Sequence, residues 1–146
     1  MTQTPDEIEL SSSLGYLLKE ASSALRAAME EALKPLGMTV THYSCLELLA
    51  QRPGLSNSEL ARGTFVTRQS MNVLLHALER DGYVTRAAHA STGRAIPTSL
   101  TDYGRAERAR ASAAVRTVEA RMTSGLSDSE RGAAFALLSR MTRALT

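Results

Sequence analysis

The chain has 146 residues, room for one domain with a real core and too few for two independently packed ones. Hydrophobic residues make up 43% and charged residues 22%, which excludes a disordered or fibrous chain, while 4% aromatics and no Trp favour helix over sheet. Net charge is only +2 but unevenly spread: three Lys/Arg stand against seven Asp/Glu in residues 1–50, nine against five in 51–110, and five against three in the rest. A basic middle fits a surface turned toward a polyanion, although an excess of four over sixty residues is modest and more often only a solvated face.

Residues 7–33 carry Ile8, Leu14, Leu17, Leu18, Ala21, Leu25, Ala28, Met29 and Ala32 at helical spacing, and Lys34-Pro35-Leu36-Gly37 stops the pattern. Thr39 can cap a second helix to about Gln51, with Tyr43, Leu46, Leu49 and Ala50 inward, and Arg52-Pro53-Gly54 ends it. Ser56-Asn57-Ser58-Glu59 reads as a capping box that opens a short helix to about Gly63. After a break, Thr67 starts another, running to about Asp81 and ending at Gly82, with Met71, Leu74, Leu75 and Leu78 on its core face. Its other face holds Gln69, Asn72, Val73, His76 and Arg80.

Two short helices joined by a tight break, the second amphipathic with amide and basic side chains on its free face, describe a helix-turn-helix. The residue types fit the groove of duplex DNA. Asn and Gln can pair bidentately with adenine, Arg with guanine, and an apolar group such as Val73 can touch a thymine methyl. Ser56, Asn57, Thr67, Arg68, Gln69, Asn72, Val73 and His76 are therefore the candidate DNA-contacting residues of the helices.

Residues 83–86 read as a strand, 87–93 as a loop and 94–100 as a returning strand, with Pro97 confining it to an edge. Such a hairpin is a wing, and Arg94 near its tip joins the candidates as a contact to phosphate or minor groove. Thr101-Asp102 opens a fifth helix to about Ser124, and a second capping box, Ser127-Asp128-Ser129-Glu130, opens a last helix to Leu145. The first and last helices carry apolar faces (Ile8, Leu10, Leu14, Leu17; Phe135, Leu137, Leu138, Met141, Leu145) outside the reading unit, for which a two-fold dimer is the economical partner.

The resulting expectation is a mainly α single domain over residues 1–146: a winged helix-turn-helix at 39–100, and long N- and C-terminal dimerisation helices at 1–36 and 102–146. No apolar run reaches the roughly 18–20 residues that span a membrane, so no membrane partner is expected. The lone Cys45 has no disulfide or Cys-x-x-Cys partner, which points to a reducing cytoplasm. Among apolar neighbours it reads as a small buried hydrophobe, the alternative being a redox switch. His42, His76 and His89 lack partners at ligand spacing, so neither metal nor cofactor is expected. Phosphate-loop, nucleophile-elbow and His-Glu-x-x-His motifs are missing, which argues against an enzyme.

Pro53-Gly54-Leu55-Ser56-Asn57-Ser58-Glu59-Leu60-Ala61, Val66-Thr67-Arg68-Gln69-Ser70-Met71-Asn72, Leu78-Glu79-Arg80-Asp81-Gly82-Tyr83-Val84, Gly93-Arg94-Ala95 and Leu100-Thr101-Asp102-Tyr103-Gly104-Arg105 follow one another in the order and spacing of one family. Over essentially its whole length the chain resembles the MarR family of winged helix-turn-helix regulators. The resemblance implies a homodimer on a pseudo-palindromic operator, a repressor released by a small anionic or phenolic effector held between the dimerisation helices and the reading head. Salicylate-like aromatic acids are the first expectation for that effector. Tyr16, His42, Tyr43 and Arg86 are the candidates to hold it, although Tyr43 also reads as core and Arg86 as a phosphate contact.

Two departures from the family pattern stand out. The wing stretch His89-Ala90-Ser91-Thr92-Gly93-Arg94 lacks the acidic residue that usually braces the tip arginine. Gly15 occupies the position of the reactive thiol in the peroxide-sensing branch. Two other classes remain open: a redox regulator acting through Cys45, and a winged-helix interaction dimer that no longer reads DNA.

Overall fold

The computed structural model of the chain describes residues 7–86 and 97–146. Its elements follow in the order α1 (Leu14–Leu33), α2 (Val40–Gln51), α3 (Asn57–Thr64), α4 (Arg68–Arg80), β1 (Val84–Arg86), β2 (Thr98–Leu100), α5 (Asp102–Met122) and α6 (Asp128–Leu145), with β1 and β2 antiparallel. This is the expected mainly α winged-helix order.

The first helix begins later than its apolar stripe implies. A short 3-10 turn occupies Leu10–Ser12 and the α-helix starts at Leu14. The run Ser11-Ser12-Ser13 is the physical reason, because serine hydroxyls compete for backbone groups inside a helix and satisfy them at its end. Ser13 does so, its Oγ accepting the Tyr16 N–H at 3.2 Å. Ile8 and Leu10 therefore precede the helix instead of lying on its stripe.

The remaining helices start where their caps stand. Thr39 accepts the His42 N–H at 3.1 Å and Thr67 the Ser70 N–H at 3.0 Å. Both capping boxes close: Ser56 accepts from Glu59 while the Glu59 carboxylate accepts the Ser56 N–H, and Ser127 and Glu130 repeat the exchange. A cap of this kind stabilises its helix by about 1 kcal/mol.

The core gathers around α2, which packs against α1, α3, α5 and β2. Cys45, Leu46 and Leu49 meet Leu33 from α1, Leu60 from α3, Met71, Leu75 and Leu78 from α4, Val84 and Leu100 from the sheet, and Ala111 and Val115 from α5. Part-buried Arg108 on α5 pairs with Glu47 on α2 at 3.4 Å, a second tie between the two helices.

In the small sheet Val84 faces Leu100 and Arg86 faces Thr98. Strand alternation turns these four inward while Thr85 and Ser99 are exposed. Pro97 stands just ahead of β2, consistent with its missing N–H. Thr101 then clamps the sheet to α5: its N–H reaches the Tyr83 carbonyl at 3.0 Å and its hydroxyl the Gly82 carbonyl at 2.6 Å. Gly104 permits the approach, since a Cβ there would stand 2.0 Å from the Tyr83 carbonyl oxygen.

One backbone position is strained. Phe65, ending α3, adopts the left-handed conformation with φ 62°, a region that costs a residue bearing Cβ about 1–2 kcal/mol. The turn closes around it as a helix stop, Val66 N–H bonding the Ala61 carbonyl at 3.1 Å. Among the described residues no helix is long and apolar enough to cross a membrane.

Candidate nucleic-acid interface

α3 and α4 pack together across the turn at residues 65–67, which fixes how α4 is displayed. Met71, Leu75 and Leu78 bury one side of α4. Gln69, Asn72, Val73, His76 and Arg80 recur on the opposite side at helical spacing, and all are exposed, as is Arg68. Val73 keeps 66% of its surface in solvent although apolar. An amphipathic helix with amides, a histidine, guanidiniums and one methyl-bearing side chain on its free face has the chemistry of a base reader.

The two helices are locked by candidates from each. Asn57 Nδ2 donates to Asn72 Oδ1 at 3.2 Å. This engages one lone pair of the Asn72 amide oxygen, and the exposed side chain keeps a second lone pair and two N–H donors for a base edge. Thr67 accepts from Ser70 N–H and donates to Ser70 Oγ at 3.0 Å, so its hydroxyl is engaged within the helix start. Ser56 accepts the Glu59 N–H, while its own N–H and its hydroxyl bond the Glu59 carboxylate. Those Ser56 bonds hold the Glu59 carboxyl below its ordinary range, the backbone one foremost. Arg94 and His89 lie outside the described residues.

The effector candidates have different surroundings. Tyr16, 44% exposed, lines a depression of about 400 Å³ made by its own segment, with Leu10, Ser13, Leu14, Leu17 and Glu20. Tyr43 is buried in the core and faces a groove with Glu47, Leu48 and Gly63, where burial pushes its phenol up. His42 is half-buried and meets the edge of Tyr83 with ring centroids 4.6 Å apart; Tyr83 in turn meets Tyr103 at 5.0 Å. Desolvation lowers the His42 pKa, opposed in part by Asp81, and raises that of Tyr83 to about 12.

Arg86 and Thr98 stand opposite each other at the wing base. Arg86 Nε and Thr98 Oγ1 are both buried without a hydrogen-bond partner, as is His42 Nε2. A single chain thus collects His42, Tyr83 and Tyr103 as an aromatic cluster and Arg86 with Thr98 as a polar pair across β1 and β2, while Tyr16 and Tyr43 belong to other surfaces. Tyr83, Tyr103 and Thr98 escaped the sequence reading. The two tyrosines gave one available signal, each being an aromatic beside a glycine at a clamp between elements.

Cys45 is fully buried, its Sγ 4.0 Å from Met71 Sδ, and burial pushes the thiol up to about 12. It is therefore protonated at neutral pH and shielded from oxidants, which speaks against the redox alternative.

Residues 36–95 match the family model described as MarR family. The chain is 48% identical over 113 residues to a Mycobacterium tuberculosis protein named HTH-type transcriptional repressor Rv2887, covering 77% of this chain and 81% of that one. The structure of Rv2887 in complex with DNA aligns with TM-score 0.75 and 39% identity, over 89% of this chain and 98% of that chain. Its complex with salicylic acid aligns with TM-score 0.75 and 40% identity, over 94% and 99%. The repressor CouR bound to a 23-mer DNA duplex aligns with TM-score 0.82 and 33% identity, again over 94% and 99%. With the helix-turn-helix, the wing strands and these likenesses over nearly its whole length, the chain belongs to the MarR family of transcriptional regulators and is no enzyme.

Proposed function

We propose that the protein is a cytoplasmic repressor that binds a pseudo-palindromic operator as a homodimer, one α4 per half-site, and is released by a small aromatic acid or phenol. The carrying observation is α4, buried on one side and presenting Gln69, Asn72, Val73 and His76 on the other, with Asn72 held by Asn57. In this reading Gln69, Asn72, Val73 and His76 meet base edges. Ser56, Asn57, Thr67, Arg68 and the wing's Arg94 position the protein on phosphates or minor groove. Residues 39–100 read DNA, and residues 1–36 and 102–146 join the two copies.

The dimer is supported by α6. It is 18 residues long yet buries none of them in its own chain, while exposing Phe135, Leu137, Leu138, Met141 and Leu145. A helix of that length draws its stability from packing, and a second copy supplies the surface. Leu10 just ahead of α1, with Leu14 and Leu17 at its start, is exposed and would join the same union, which would leave Tyr16 at its boundary.

The effector reading is supported by the wing base. A buried donor without an acceptor costs about 1–3 kcal/mol, and a carboxylate would satisfy Arg86 Nε and Thr98 Oγ1 together. The rings of His42, Tyr83 and Tyr103 would wall an aromatic body. A relative that carries salicylic acid favours an aromatic acid, and one that carries p-coumaroyl-CoA favours a phenol. Because half-sites lie one turn apart, about 34–36 Å, a shift of a few ångströms between the two α4 helices breaks their register.

The test is operator binding with increasing salicylate, for wild type and Arg86→Ala. Salicylate should weaken wild-type binding by about 5- to 150-fold, and the variant should bind DNA while responding little. An unchanged response in Arg86→Ala would remove the wing base from the effector site.

A further inference from the structure

Phe65 lies between the last turn of α3 and Thr67, the cap of α4. It is 93% exposed, the most exposed aromatic ring among the described residues, and it holds the left-handed backbone at φ 62°. Both features run against the fold. The stop it forms is the position where glycine is easiest, and the apolar anchoring of the turn is done by Val66, which packs on the core while Phe65 points away from it. Phe65 takes no part in the buried core that holds the helix-turn-helix together.

What surrounds it is the interface side of the reading head. A recognition helix inserts its N-terminal residues toward the bases, so the turn preceding it travels with them to the duplex. Exposed Arg62 and Arg68 flank Phe65 in sequence and would bring it down onto the phosphates on either side. A phenyl ring has no donor or acceptor. Its readable feature on DNA is an apolar one, and in the major groove that is the C5-methyl of thymine.

We propose that Phe65 is a specificity-determining residue that packs on a thymine methyl at the margin of each half-site. The proposal rests on the reading of α4 as the recognition helix. Its strained backbone is then the means by which a bulky apolar side chain is held out at the turn in front of α4.

The experiment uses the full chain and a duplex that wild type isolates from a randomised pool, with each thymine of the half-site replaced in turn by deoxyuridine. Wild type should lose affinity about three- to tenfold at the thymine under Phe65, besides any thymine that Val73 covers, each the loss of one buried methyl contact. Phe65→Gly should melt at or above the wild-type temperature, bind the thymine duplex weaker by a similar factor, and show no further loss at that uracil. Gln69→Ala, run beside it, should lose affinity at a different base. If Phe65→Gly binds as tightly as wild type, or still loses affinity at the same uracil, Phe65 does not read thymine. If neither Phe65→Gly nor Gln69→Ala matters, the assignment of α4 falls with it.

Discussion

Gln69 and Asn72 present amides that can match adenine edge for edge, whereas Arg94 carries a charge that every phosphate attracts equally. Gln69→Ala or Asn72→Ala should therefore relax the preferred sequence, costing about 1–3 kcal/mol of discrimination at the base each one reads. Arg94→Ala should weaken binding to all sequences and reduce the salt slope by about one. Competition binding against single-base operator variants at several salt concentrations separates the two, and equal effects of all three substitutions on every DNA would contradict these roles. His42 supplies a different check. Its folded pKa lies below the ordinary 6.5, so the unfolded chain binds a proton more readily and stability is lost as pH falls below about 6.5. Melting temperatures between pH 7.5 and 5 should fall less steeply for His42→Phe than for wild type. At this scale the exposed face of α4 was legible, because side-chain spacing alone defines it. The Asn57 to Asn72 bond and the Tyr83 and Tyr103 rings around His42 were not, because they join residues distant in sequence and depend on how the helices cross.

At the scale of elements, the helix starts were readable since a cap is a local chemical fact. Ser56 with Glu59, Thr67 and Ser127 with Glu130 all bond as their spacing implies. The start of α1 is not legible from periodicity, because the apolar spacing runs from Ile8 to Leu14 across Ser11-Ser12-Ser13 and is blind to the serines' preference for the cap. The junction between wing and α5 is the most demanding contact in the fold. Gly104→Ala would force a methyl group against the Tyr83 carbonyl, where rigid backbone cannot yield, and should destabilise the chain by about 1–3 kcal/mol in urea unfolding. Thr101→Ala removes both the α5 cap and the bond to the Gly82 carbonyl, for an expected loss of about 2 kcal/mol. If the wing is positioned through this junction, each variant that still folds should bind DNA more weakly as well, and unimpaired binding would show that the wing sets itself.

The whole molecule is legible as a reading head flanked by α1 on one side and α5 and α6 on the other, and less so as an assembly, because a sequence shows apolar faces without showing what covers them. α6 buries none of its residues in one chain, and the start of α1 likewise exposes Leu14 and Leu17. Phe135→Asp or Leu138→Asp should turn a dimer into a monomer by analytical ultracentrifugation and abolish tight operator binding, since one half-site loses its partner; a monomeric wild type would contradict the proposed union. In the proposed mechanism dimerisation, α4 and the wing base would meet in one linkage, in which an effector weakens DNA binding as much as DNA weakens effector binding. The most direct measurement is fluorescence anisotropy of wild type on the duplex it selects, at several salt concentrations, with and without salicylate. Tight, salt-dependent binding that salicylate weakens at least about fivefold is the predicted result. Absence of salt-dependent binding to that duplex and to mixed DNA alike would contradict the account.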